Sequence, residues 1–206
     1  MSEKMKLLIG ASDNKMQYVK KFSEYLEKFN VNSKVVLDVE ICNGFPSKNI
    51  TQWISPFKKF NLLIESFKPD AVFVDRQTQF GIAAIKAKIP LLMQLRGNYW
   101  DEIDWAKKNG SIKNKIILSI KEKIAEDCFK GSKMILPFSN HLAEISKKKY
   151  PNKKIEVFYD GLEIKDWYKD EPMNFKHPCV GLLQNASIWK KAQEMISLKS
   201  ILEKFP

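Results

Sequence analysis

Short apolar runs alternate with stretches whose hydrophobic residues recur every three or four positions along most of the chain, and this alternation predicts a parallel sheet covered by helices. Leu7-Leu8-Ile9 is the first run, Gly10 to Asn14 follows as a loop, and Met16, Val19, Phe22, Leu26 and Phe29 fall on one inward helix face. Val35 to Ile41 reads as the second strand and Asn43-Gly44-Phe45-Pro46 as a loop. Ser55 as N-cap and Pro56 in the first turn then open a helix with Phe57, Phe60, Leu63, Ile64 and Phe67 inward. Asp70 to Asp75 is apolar without alternation, the mark of a central strand buried on both faces. Gly81 to Lys88 is predicted as a short helix and Pro90 to Leu95 as a strand, with Arg96-Gly97-Asn98-Tyr99-Trp100 a loop at its carboxyl end. Ile112, Ile116, Ile120, Ile124 and Cys128 repeat every four residues in a long helix, read as an ordinary covering helix packed on the core. Lys133 to Leu136, a short helix capped by Ser139, and Ile155 to Phe158 complete the series.

These runs define a doubly wound, mostly parallel α/β domain over residues 1–165. Residues 166–178 hold Trp167, Pro172 and Pro178 among charges without a clear period, as a linker would. Val180-Gly181-Leu182-Leu183 restarts the pattern, and Ala192, Met195, Leu198, Ile201, Leu202 and Phe205 share a helix face, so residues 179–206 are predicted to be the truncated beginning of a second, similar domain. One βα unit cannot bury both faces of a sheet, so that domain is expected to be incomplete, completed by another chain, or packed on the first.

Composition narrows the partners. A chain of 206 residues with 44% hydrophobic content has material for a sizeable core. The net charge of +11 is almost entirely lysine, because the only arginines are Arg76 and Arg96. Nucleic-acid recognition leans on the planar fork of arginine, so no nucleic-acid partner is expected, whereas an anionic membrane surface or a phosphorylated ligand fits scattered lysine. Cys42, Cys128 and Cys179 are odd in number and far apart in apolar settings, as reduced core thiols of a cytoplasmic protein would be. The apolar run ending at Gly10 is too brief for a secretion signal or a membrane span.

Ligands of open parallel sheets sit outside the carboxyl ends of the strands, which selects one rim made of Gly10 to Asn14, Asp75 to Phe80, Arg96 to Trp100 and Ser139 to His141. Turn glycines, capping serines and loop charges occur in every α/β protein, so each of these residues also has a purely structural reading. The first turn lacks Gly-x-Gly-x-x-Gly, so no nicotinamide site is expected; phosphate-loop and serine-elbow motifs are absent from the sequence as well. His141 and His177 lack metal-ligand partners at useful spacing, there is no Asp-x-Asp clamp, and no metal or cofactor is expected. Lys113, Lys115, Lys121 and Lys123 flank the isoleucine row in a combination that suits an anionic membrane, but Glu122, Glu126 and Asp127 dilute the positive face, which favours an ordinary covering helix. Tyr99, Trp100 and Trp105 read either as an aromatic platform for a sugar or lipid or as simple burial.

Three segments in order resemble the family-4 glycosyltransferases of the GT-B fold. Lys68-Pro69-Asp70-Ala71-Val72-Phe73-Val74 is similar to their "kPDvvh" strand. Ser132 to Asn140 and then Lys154 to Glu163 are similar to the "aDlii.vS" and "ki.vipNGvD" strands, and Val180 to Lys191 to the "vG.l...KG" opening of the donor domain. The resemblance implies a Rossmann-like acceptor domain followed by the first βα unit of a donor domain. It also implies transfer of a sugar from a nucleoside diphosphate donor to an acceptor hydroxyl with retention, in polysaccharide or glycolipid biosynthesis, without a metal clamp. The acceptor, a glycan or lipid-linked molecule, would be held by Ser12, Asp13, Arg96, Gly97, Asn98, Ser139 and His141, and the donor phosphate by Gly10, Asn185 and Lys190. The sequence departs from the family where the first-loop glycine pair is reduced to Gly10, where the linking asparagine becomes Asp160, and where Lys191 replaces a glycine. The family's pair of glutamates seven residues apart has no counterpart before Pro206, so this chain is expected to be inactive alone, at the inner face of the cell membrane or free in the cytoplasm. The alternative is a non-catalytic Rossmann-like domain that binds a nucleotide or a partner.

Overall fold

The computed structural model describes residues 4–37, 51–159, 161 and 204. Expectations for Cys42, the loop of residues 43–46, Asp160, the linker, His177, Cys179, Asn185 and Lys190 lie outside the described residues. The chain divides into two units, Met1–Gly161 and Leu162–Pro206, and the first carries the fold described below.

Strands β1 (Met5–Ala11), β2 (Val31–Leu37), β3 (Ala71–Val74), β4 (Leu91–Leu95), β5 (Met134–Pro137) and β6 (Lys154–Ile155) form one sheet in the order β2-β1-β3-β4-β5-β6. Every neighbouring pair is parallel. Helices α1 (Met16–Glu27), α2 (Thr51–Phe67), α3 (Gln79–Lys86), α4 (Tyr99–Asn109), α5 (Ile112–Gly131) and α6 (Asn140–Lys149) connect them. The first unit is thus a Rossmann-like α/β domain, as the alternating pattern predicts.

Side chains alternate across each strand, and the two faces of the sheet accordingly carry separate cores. Leu8, Val72, Val74, Met93 and Ile135 point to one, where Phe60 and Ile64 of α2, Phe80 of α3, and Ala125, Cys128 and Phe129 of α5 cover them. Leu7, Ile9, Ala71 and Phe73 point to the other, against Val19 and Phe22 of α1, with Phe158 edge-on to both Phe22 and Phe73 at 5.9 Å. Burial of β3 on both faces explains its unbroken apolar run.

Several boundaries differ from the sequence reading. Strand β1 runs on to Ala11, so Gly10 is a strand residue and not the start of the loop. Its neighbour explains the glycine: a Cβ there would lie 2.2 Å from Phe80 Cδ1. Helix α1 stops at Glu27, and Asn30 turns the chain with φ 63°, which leaves Phe29 75% exposed instead of inward. Helix α2 begins at Thr51, one turn before Ser55-Pro56; a proline removes one hydrogen bond without ending a helix. Tyr99 and Trp100, expected in a loop, open helix α4, whose Asn98 side chain accepts from Asp101 N and whose first turn holds Asp101 and Glu102. Those are capping signals, but Ile103 is the single fully buried residue of α4, so no apolar stripe announced it.

The long helix shows the largest departure. Of the four-residue row only Cys128 is fully buried, whereas Ile112 is 81% and Ile116 52% exposed. A 20-residue helix is about 30 Å long, roughly twice the four- or five-residue strands it covers, so only its final turns can reach the sheet. There Phe129 stacks between Trp100 at 5.0 Å and Tyr150 at 5.4 Å. Trp100 is therefore a packing residue, while Trp105 stays 38% exposed.

Tyr150 also donates a 2.5 Å hydrogen bond to Glu126 Oε2 and so ties α6 to α5. Burial, and then this bond, push the Tyr150 hydroxyl above its ordinary pKa. Burial alone would raise Glu126, but the Tyr150 and Lys130 hydrogen bonds outweigh it and hold the carboxyl below the usual range. A depressed folded-state pKa contributes stability that is present above the unfolded value and lost as pH falls through the folded one. Tyr150→Phe is therefore expected to lose about 1 kcal/mol near neutrality and to differ less from the parent in acid. Urea unfolding at several pH values measures this; a pH-independent difference would show that the bond to Glu126 is not its source.

Candidate functional site at the carboxyl edge of the sheet

From β1 the chain crosses outward to β2 and then returns to the opposite side of β1 for β3, so the winding direction reverses between β1 and β3. Loops diverge at such a point and leave a crevice at the carboxyl ends of the two strands. Ser12 follows β1 there and Asp75 follows β3.

These two residues are tied together. The Asp75 carboxylate accepts from Ser12 Oγ at 2.7 Å and from Ser12 N at 3.2 and 3.3 Å, and Asp75 N donates to Gly10 O. Both are buried, so the bonds form away from competing water, where a charged acceptor makes them strong. Asp75 thereby fixes how the loop leaves β1 and enters the short 3-10 turn Asp13–Lys15. Sequence reading placed Asp75 on the rim without assigning it a role. The signal available was an acidic residue at the end of a doubly buried strand, a position hard to maintain without local donors.

Arg76 Nε lies 3.9 Å from Asp75 Oδ1 with its side chain one-third exposed. Arg96, at the end of β4, reaches back to α1, where its guanidinium carbon is 5.2 Å from the Tyr18 ring centroid. The fold thus brings the ends of β1, β3 and β4, with both arginines of the chain, to one edge.

The other expected residues separate by role. Ser12 is buried with its hydroxyl committed to Asp75, so it shapes the loop and does not face open space. Asp13 is exposed beside it. Asn98 accepts from Asp101 N at 3.4 Å and donates Nδ2 to Asp101 Oδ2 at 2.6 Å, which assigns it to capping α4. Gly97 leaves room for Glu102, since a Cβ would lie 2.7 Å from Glu102 Oε1. Ser139 accepts from Leu142 N and caps α6; it and the exposed His141 follow β5, two strands and roughly 10 Å from β3. Gly10 is occupied by its contact with Phe80.

The helices supply the remaining electrostatics. Helices α1, α3 and α6 begin at this edge without an acidic residue in the first turn, whereas α4 carries Asp101 and Glu102. The partial positive charge of an N-terminus is therefore offset by acidic side chains at α4, and Asp13 stands in the 3-10 turn that precedes α1, whereas α3 has no acidic residue in its first turn. Together with Arg76 and Arg96 this edge suits an anionic or polyhydroxylated ligand. Among the described residues no group of three or more His, Cys, Asp or Glu could hold a metal ion.

Fold and edge together define a Rossmann-like α/β domain whose topological switch point carries Arg76 beside Asp75, with Arg96 at the end of the next strand. No family model and no curated protein matches the chain. Among solved structures it is similar to the UDP-GlcNAc 2-epimerase of Methanocaldococcus jannaschii, at 17% identity over 74% of this chain and 45% of that one, with a TM-score of 0.47. It is similar also to UDP-N-acetylglucosamine 2-epimerase from Rickettsia bellii, at 15% identity over 71% and 42%, TM-score 0.48. A UDP-glucosyltransferase from Polygonum tinctorium capable of glucosylating indoxyl is similar at 8% identity over 84% and 56%, TM-score 0.48. The chain spans about half the length of these structures.

Proposed function

We propose that this chain is the acceptor-side half of a nucleotide-sugar-dependent glycosyltransferase, with the switch-point crevice as the acceptor site. The observation that carries the reading is the gathering of Arg76, Arg96 and the Asp75-clamped Ser12 loop at one edge of the sheet. The ordered sequence segments that resemble the GT-B transferases supply its direction.

In this reading Asp75 positions the loop, Asp13 and the backbone amides near the start of α1 meet acceptor hydroxyls, and Arg96 takes an anionic group on the acceptor, such as a phosphate or an acidic sugar. Donor diphosphate falls to Lys190 with Asn185, as the resemblance implies, and the charge that grows on it as the sugar departs is stabilised by cation and helix amides. The acceptor oxygen forms its bond to the anomeric carbon as the bond to diphosphate breaks, and the hydroxyl proton passes to an oxygen of the departing diphosphate.

The test is transfer from a panel of nucleotide sugars by the protein encoded by the complete reading frame, with Arg96→Ala beside it. Loss of one charge-assisted contact, about 1.5–3 kcal/mol, should raise the KM for an anionic acceptor at least tenfold and leave the donor KM unchanged. Failure to transfer from any nucleotide sugar would remove the transferase reading, and an effect of Arg96→Ala on donor KM alone would move the acceptor elsewhere.

A further inference from the structure

Helices α4 and α5 form an antiparallel hairpin that stands out from the carboxyl edge of the sheet. Trp100 meets Phe129 near its base, and Lys107 pairs with Glu122 farther along. Cys128 Sγ lies 3.3 Å from Thr78 O, beside the N-cap of α3 just past the end of β3. Ile112 precedes Cys128 by about four and a half turns, so the first half of α5 extends on the order of 20 Å beyond that level. Its tip therefore projects on the same side as the crevice.

The projecting part is apolar and basic at once. Ile112, Ile116, Ile120 and Ile124 line an open groove of about 560 Å³ with Lys115 and Lys123. Across α5 from this groove, on the side that meets α4, Trp105 is exposed beside Asn109, Asn114 and Leu118. Residues 105–124 contain six lysines against Glu122 alone, a net charge of +5, and Lys108, Lys113 and Lys115 are exposed around the tip. Ordinary covering helices direct isoleucine inward; here the most exposed large hydrophobic of the described residues, Ile112, stands among lysines.

We infer that the α4–α5 hairpin tip docks on an anionic lipid bilayer, lying in its interface with Ile112 and Ile116 among the headgroups and Lys108, Lys113 and Lys115 against the lipid charges. Charge selects this occupant: a second copy would set +5 against +5, whereas anionic headgroups complement the lysines and the acyl boundary takes the isoleucines. Lysine beside an apolar surface is what such an interface favours, because its stem packs on the apolar groups while its ammonium meets the headgroups. No helix of the described residues is long and apolar enough to cross a membrane, which is consistent with lying on the surface. This inference stands apart from the transferase reading, because lipid binding needs no nucleotide sugar.

The experiment is co-sedimentation of the chain with vesicles of phosphatidylglycerol and phosphatidylcholine, and with phosphatidylcholine alone, at low and high salt. Binding to the anionic vesicles only, weakened by salt, is expected. Ile112→Asp with Ile116→Asp should weaken it at least about tenfold, and Lys113→Gln with Lys115→Gln by roughly 10–30-fold, as expected for about 1 kcal/mol per lysine. Both isoleucines are exposed, so melting should be unchanged; if the pair destabilises the fold, Ile112→Asp alone carries the comparison. Absence of binding, binding that the isoleucine changes leave intact, or a dimer by light scattering that Ile116→Asp dissociates would each overturn the inference.

Discussion

Gly10→Ala should lower the unfolding free energy by about 2 kcal/mol and the melting temperature by roughly 4–8 °C, although alanine is ordinarily the better strand residue. The new methyl would lie 2.2 Å from Phe80 Cδ1 and 2.5 Å from Cε1. The ring has little freedom to retreat, since Phe80 is fully buried and its centroid is 4.7 Å from that of Phe60. Overpacking of this kind costs about 1–3 kcal/mol or more, which exceeds the 0.5–1 kcal/mol that alanine returns by restricting the unfolded chain. Adding Phe80→Leu to Gly10→Ala should recover part of the loss. Thermal melts of the single and double variants measure this, and an unchanged melting temperature in Gly10→Ala would show that the ring moves aside freely.

Asp75→Ala is expected to lose about 3 kcal/mol and to abolish ligand binding in the crevice. The substitution removes a charged acceptor from Ser12 Oγ and leaves the buried Ser12 amide without that partner, each costing about 1–3 kcal/mol, while relief of the carboxylate's desolvation returns part. Ser12→Ala deletes only the hydroxyl and keeps the amide contact, so a smaller loss near 1 kcal/mol is expected. Urea unfolding of the two variants, with calorimetric titration of an anionic acceptor, gives the comparison. Equal losses in both would mean that the amide contact contributes little, and undiminished ligand binding in Asp75→Ala would detach the site from this clamp.

Much of this fold was legible because each strand left a local mark. The unbroken Ala71–Val74 run announced its burial on both faces, and Ser139 marked the start of α6, where it accepts from Leu142 N; Thr78 and Ser111 cap α3 and α5 in the same way without having been read as caps. Helix α4 was hidden because its cap at Asn98 is ordinary loop chemistry and its length carries one fully buried residue. The end of α1 was hidden because Asn30, not glycine, adopts the left-handed turn. At the candidate site, the sequence placed Ser12 and Arg96 on one rim as binding groups; the structure puts Arg96 after β4 and makes Ser12 part of a clamp with Asp75. Asp75 had no stated role because the partner that defines it lies 63 residues away.

The sequence by itself determined the class of protein. Periods of two and of about 3.6 are local properties that persist in any chain folding this way, and their alternation permits little other than helices on a parallel sheet. Which side of a regular row faces the core is not local. The isoleucines of α5 repeat as faithfully as any buried stripe, and only the tertiary structure shows the helix outrunning its sheet and leaving Ile112 and Ile116 exposed beside lysine. Strand order is equally non-local, because the reversal that opens the crevice depends on where β3 pairs, and that pairing joins Ser12 to Asp75 and turns two unremarkable loops into one site.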